Sequence, residues 1–194
     1  MFGFSAAFAI MLVSNSLWCQ NVWHWSALRT GLAMAPGPVM VPLVTQFSAR
    51  LVRRVGLAPL IVAGSLLFGG ALLWRVVFAS VPGDYVLDLL PSMIVVGVGV
   101  GLALSSLIAA GSTALPDDRA ATASGTVNFG RQVASALGVA VLVTALAGST
   151  GMAQGYRTGW LIGAAFAVVA AALALGLLER RTVAAGAARV RAAG

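Results

Sequence analysis

LAPLIVAGSLLFGGALLWRVVFA, residues 57–79, is the stretch on which the fold turns. It holds a single charge, Arg75, about one turn from its end. As an α-helix it extends about 34 Å at 1.5 Å per residue, enough to cross a hydrocarbon core of about 30 Å. A helix apolar on every side has no face to offer water, so lipid or protein must surround it. Five further stretches share this character, and the spans are read as 2–20, 29–49, 57–79, 86–110, 122–147 and 157–178. The whole chain agrees: of 194 residues, 60% are hydrophobic and 9% charged, with a mean hydropathy of +0.97. That composition cannot furnish the exterior of a water-soluble domain. The expected fold class is all-α integral membrane: a bundle of six transmembrane helices over residues 1–178, then a basic tail, 179–194, expected to be disordered.

The net charge of +7 looks at first like a nucleic-acid footprint, but its placement points to a membrane. All twelve basic residues are arginine; Arg50, Arg53 and Arg54 share one connection, and Arg180, Arg181, Arg189 and Arg191 lie in the tail. The positive-inside rule makes both places cytoplasmic and the chain a multi-pass protein of the cell membrane, with no nucleic-acid partner. The opposite connections carry Arg29, Arg75 and Arg157, one each, and Trp18, Trp23, Trp25, Trp74, Tyr85, Tyr156 and Trp160 are expected as anchors at the outer interface. Cys19 and His24 are the only residues of their kinds, so no disulfide, thiolate cluster or His-based metal site is expected, and no cofactor. The first span lacks a basic n-region, and Cys19-Gln20-Asn21 makes a poor cleavage site, so it reads as a retained helix rather than a signal peptide.

Polarity is uneven among the spans. The third and sixth are almost uniformly apolar, whereas the others carry polar groups at depth: Ser14, Asn15 and Ser16; Thr45 and Gln46; Ser105 and Ser106; Asn128, Arg131, Gln132, Ser135 and Thr144. Polar groups in hydrocarbon are costly unless they face protein or a wet cavity, so spans 1, 2, 4 and 5 are expected to line something, and 3 and 6 to face lipid. That order, repeated twice, fits two three-helix units related by an inverted repeat. Gly97, Gly99 and Gly101 in the fourth span, with Gly130, Ala134 and Gly138 in the fifth, read as close-packing positions. Pro36, Pro38 and Pro42 predict a kink in the outer half of the second span, which is either a gating element or an ordinary membrane-helix bend.

Arg131 is the sharpest single residue, about 12 Å along the helix from Ala123. Three readings stand side by side: snorkelling to the interface, a structural clamp with Asn128, or substrate binding and gating. Pro116-Asp117-Asp118 reads as an ordinary helix start. Asp84 and Asp88 are placed at the outer rim as solvated carboxylates, so no carboxylate is expected at depth to carry protons. An intramembrane serine protease would need a histidine beside its nucleophile; His24 lies at the opposite membrane face from Ser124, and the chain is not expected to be an enzyme. A channel is disfavoured, since no charged stripe or filter-like loop is present.

Several stretches together resemble the C-terminal six-helix half of a major facilitator superfamily transporter, in particular the fourteen-span drug:proton antiporters. They are Gln20 with Trp25-Ser26-Ala27-Leu28-Arg29-Thr30-Gly31-Leu32 and Ala35-Pro36-Gly37, then Ala49-Arg50-Leu51-Val52-Arg53-Arg54-Val55-Gly56, then Leu89-Leu90-Pro91 with the glycine run. The most specific is Ala123-Ser124-Gly125-x-x-Asn128-x-x-Arg131-Gln132 with Gly138-Val139-Ala140, and Gly155-Tyr156-Arg157 opens the last helix. The cytoplasmic loop of that family has glycine and aspartate where this chain has Ala49 and Arg53. The resemblance implies proton-coupled export of small molecules or drugs by alternating access, with lipid, substrate and protons as partners. It implies Asn15, Gln20, Asn128, Arg131 and Gln132 as cavity or gate residues, and Arg50, Arg54 and Gly56 as shapers of a cytoplasmic loop. It also implies an N-terminal bundle outside this sequence. A truncated gene is the expectation; a separate partner, a half-sized transporter acting as a dimer, and a non-transporting scaffold are the alternatives.

Overall fold

Hydropathy sets the helices of this chain, and glycine, proline and short polar turns end them. A computed structural model describes residues 1–112 and 120–192, and every regular element in them is helical. In order they are α1 (Phe2–Asn21), α2 (Ala27–Met34), α3 (Pro36–Val55), α4 (Leu57–Phe78), a π-helical turn (Tyr85–Leu89) leading into α5 (Leu90–Ser112), α6 (Ala120–Ala147) and α7 (Met152–Ala192). With α2 and α3 as one span, and the π turn joined to α5, six helices among the described residues are long and apolar enough to cross a bilayer. The chain is a multi-pass membrane protein. The helix start expected at Pro116-Asp117-Asp118 lies outside the described residues, and the backbone of α7 stays helical to Ala192, through the stretch expected to be a disordered tail.

Of the three prolines in the second span, Pro36 breaks the helix more sharply than the expected kink, whereas α3 continues through Pro38 and Pro42. Pro36 has no N–H, α2 stops at Met34, and the Ala35 amide closes a tight bond to Leu32 O at 3.2 Å before α3 begins. At its other end α3 runs six residues beyond the expected 49. Arg50 and Arg54 therefore sit on the last turns of a helix, not on a loop, and only Gly56 occupies the turn. The helix dipole favours cations at this terminus. Gly56 ends it at φ 85, ψ 174, a conformation open almost only to glycine, while a Cβ there would meet nothing within 4 Å. Gly56→Ala is thus expected to cost about 1–3 kcal/mol through the backbone alone. Gly31→Ala, helical and equally uncrowded, is expected to be neutral or slightly stabilising. Denaturant titration in detergent measures both.

The first span packs on the fifth as the second packs on the fourth, and the third packs on the sixth. Exchanging spans 1, 2, 3 for 4, 5, 6 maps this set of pairings onto itself, the mark of a 3+3 inverted repeat. Small residues make the crossings close: a Cβ on Gly64 of α4 would lie 2.7 Å from Gly99 O of α5, and one on Gly97 would lie 2.6 Å from the Met40 Cβ of α3.

Coverage differs sharply among spans. In the first, 61% of the apolar window is buried; in the second and fifth, only 17%. The third and sixth each bury one face and leave the other open, with Leu66, Leu73 and Val77 on α4 and Leu161, Val169 and Leu173 on α7 exposed. Two ends can be told apart: a tryptophan end, where α1 and α4 finish and α7 begins, and an arginine end, where α3 finishes. At the tryptophan end, Asn21 Nδ2 donates to the Tyr156 hydroxyl at 3.1 Å, Trp23 Nε1 to Ser80 O at 3.0 Å, and Arg157 to Ala79 O at 3.3 Å.

Candidate functional site

The open side of the bundle is formed by the second and fifth spans, and two hollows face it. The larger, about 350 Å³, is bounded by Phe8, Met11 and Leu12 of α1, Met34, Gly37, Pro38, Val41 and Pro42 of α2 and α3, and Met93, Val96, Gly97, Val100 and Leu104 of α5. The break at Pro36 swings α2 away from α3, and the Gly97 crossing draws α3 against α5, so the concavity follows from local sequence. Its wall is apolar throughout, with three methionines whose unbranched, polarisable side chains adapt to many shapes. The second hollow, about 200 Å³, lies between α5 and α6 and is lined by Ile108, Ser124, Val127, Asn128 and Arg131. One wall is thus apolar and adaptable, the other short and cationic. Only spans 1, 2, 4 and 5 contribute to either, but the larger hollow holds none of the polar residues on which that expectation rests.

The residues expected in one cavity are separated by the fold. Asn128 and Arg131 share the small hollow, and Gln132 is exposed beside them on α6. Gln20 is exposed at the tryptophan end, donating to Ser16 Oγ at 3.1 Å. Asn15 is fully buried, its Oδ1 accepting from Arg75 Nε at 3.3 Å. At the arginine end, Arg53 rather than Arg50 or Arg54 lines a hollow, about 350 Å³ in volume, with Thr45, Ser48 and Ser106. A further hollow, about 620 Å³, lies on the flank between α4 and α5 and offers no charged or amide side chain to orient a ligand.

Three expectations at the tryptophan end are corrected. Arg75, placed in an outer connection, is wholly buried at 0% exposure. Trp18, Tyr156 and Trp160, taken as interface anchors, are buried around it, with the guanidinium carbon 4.6 Å from the Trp160 ring, 5.5 Å from Trp23 and 5.9 Å from Trp18. Asp88, taken as a solvated rim carboxylate, is 3% exposed. No local signal marks this cluster: Asn15, Trp18, Arg75 and Trp160 lie three to eight residues inside the ends of α1, α4 and α7 that meet there, where interface anchoring is the default reading.

Two inverted three-helix units with an apolar concavity on their open side define a half-bundle of the membrane-transporter kind. The chain belongs to the Major Facilitator Superfamily, which it matches over residues 1–139. It is 32% identical over 186 residues to the puromycin resistance protein pur8 of Streptomyces alboniger, covering 86% of this chain and 37% of that protein. It is 31% identical over 137 residues to the multidrug resistance protein Stp of Mycobacterium tuberculosis, covering 71% of this chain and 25% of that one. The chain therefore spans about a third or less of the length of these relatives.

Proposed function

We propose that the chain forms one half of a secondary transporter that exports lipophilic small molecules by alternating access. The observation that carries this reading is the open side: two scarcely covered spans beside a 350 Å³ apolar hollow that a second bundle would close into a binding site near the midplane. The drug-resistance relatives support the substrate class, since an adaptable apolar wall suits varied drugs. In this reading the partner is an N-terminal bundle or a second copy of the chain. The arginine end faces the cytoplasm of the cell, as the positive-inside rule demands. Protons drive export, a feature drawn from the family resemblance and from no residue of this chain.

Arg131 and Asn128 serve as the polar contact of this half, and Gln132 flanks them. Arg50, Arg54 and Gly56 shape the cytoplasmic end of the second span. Residues 1–194 reconstituted in vesicles with a second bundle are expected to extrude a lipophilic dye under an imposed proton gradient. Arg131→Ala should slow this roughly tenfold or more, the scale of one charged contact of about 1.5–3 kcal/mol. Extrusion by the chain alone would identify a half-sized transporter working as a dimer. No extrusion with a folded second bundle present would overturn the transport reading in favour of a scaffold.

A further inference from the structure

Arg75 has no part in either hollow, yet it is fully buried at the tryptophan end. Its Nε donates one bond to Asn15, and among the described residues neither Nη1 nor Nη2 has a hydrogen-bond partner. Three indole faces at 4.6–5.9 Å offer cation–π attraction, but they satisfy none of the remaining N–H groups. A buried guanidinium left in this condition is costly, and a carboxylate is the group best shaped to relieve it.

One is tied to the cage itself: the Trp23 indole, 5.5 Å from the guanidinium carbon, donates to Ser80 O at 3.0 Å, and Ser80 in turn donates to Asp88. Asp88 is buried, and its bonds to the Ser80 amide (3.1 Å), the Ser80 hydroxyl (2.8 Å) and the Asp84 amide (3.3 Å) all fall on Oδ2, leaving Oδ1 to accept another donor. The other charged groups nearby are engaged elsewhere: Asp84 caps the Val86 and Leu87 amides, Arg157 donates to Ala79 O, and Arg29 stacks on Trp25 at 4.1 Å. Asp88 also sits in the π turn Tyr85–Leu89, closed by the Leu90 amide on Tyr85 O. Isolated π turns mark functional positions, and relaxing this one to α-helical pairing would swing Asp88 about the helix axis.

We propose that Arg75 and Asp88 form an exchange latch: with the tryptophan end closed the guanidinium sits in the indole cage, and as that end opens it leaves the cage to pair with the Asp88 carboxylate. Arg75 is then a positioning residue that ties α1, α4 and α7 together, and Asp88 is its landing site on the fourth span. The purpose of the latch rests on the transport reading; its existence does not, so the test reads conformation rather than export.

Cys19, fully buried beside the cage and the sole cysteine of the chain, is a built-in reporter. The full chain in lipid vesicles is treated with N-ethylmaleimide and the labelling rate of Cys19 is followed. Arg75→Gln is expected to raise the rate roughly tenfold, by loosening the cage. Asp88→Asn keeps a carbonyl oxygen for the Ser80 and Asp84 bonds but removes the landing charge, so it should lower the rate about threefold below wild type. In the double variant the Asp88 change should have no further effect, because nothing remains to land. A rate in Asp88→Asn equal to or above wild type overturns the latch, and that variant alone decides the matter if Arg75→Gln fails to insert. Export lost while the labelling pattern holds would sink the transport reading and leave the latch standing.

Discussion

Gly64→Leu is expected to leave no folded bundle. A Cβ at this position would stand 2.6 Å from Ala103 N, 2.7 Å from Gly99 O and 2.8 Å from Ala103 Cβ. These are backbone atoms or a methyl fixed to backbone, so no side-chain rotation makes room and α4 must part from α5. The crossing is reciprocal: a Cβ on Gly99 would meet Gly64 O at 2.8 Å and Phe68 N at 2.9 Å. Lipid gives helices no hydrophobic reason to associate, so close van der Waals contact is itself the association energy, and separating the pair forfeits it. The penalty should exceed the ~3 kcal/mol typical of overpacking that flexible side chains absorb. The readouts are the yield of monodisperse protein in detergent and its thermal midpoint by circular dichroism. Gly70→Leu, on the same helix with nothing within 4 Å of its Cβ, should behave as wild type within about 0.5 kcal/mol. Equal yields and midpoints for the two variants would refute the crossing.

The spans could be read from sequence because membrane insertion is decided locally, by some twenty apolar residues in succession. The start of α4 at Leu57, just after Gly56, falls where expected, whereas α3 runs six residues past its expected end and the second span, expected only to kink, breaks in two at Pro36. The arginine run 50–54 misled because charge marks the membrane edge, not the helix end: α3 simply continues into the interface, where its carbonyls welcome cations. Asn15 and Arg75 were harder for a different reason. An arginine near the end of an apolar run has snorkelling as its default, and only tertiary structure shows that α1, α7 and the Trp23 loop close over it. Local sequence carries the polar content of a span, but which face that content turns to depends on partners far along the chain, as Asn15, Trp23 and Trp160 are from Arg75.

Those partners make the second large effect. Trp160→Ala is expected to destabilise the bundle by about 3–5 kcal/mol, the range for removing a fully buried large aromatic. Trp160 is 0% exposed, packs 5.1 Å from the Trp18 ring, donates to Ser14 Oγ at 2.9 Å, and is the nearest of three indoles to the Arg75 charge. Alanine removes all of these together and opens a void beside an ion already short of hydrogen bonds. Trp160→Phe retains an aromatic face and most of the volume, so its loss should be closer to 1 kcal/mol, the net worth of the missing N–H bond. Trp74→Ala should fall between the two: its ring is 37% exposed, but it forfeits an N–H bond to Leu87 O at 3.0 Å and a stack on Phe78. Mixed-micelle denaturation followed by circular dichroism ranks the three. The diagnostic arm is the double variant Arg75→Met with Trp160→Ala. If the cage exists to shelter a charge, removing that charge makes the indole less necessary, and the combined loss should fall short of the sum of the single losses by about 1–3 kcal/mol. Simple additivity would mean that Trp160 only fills space.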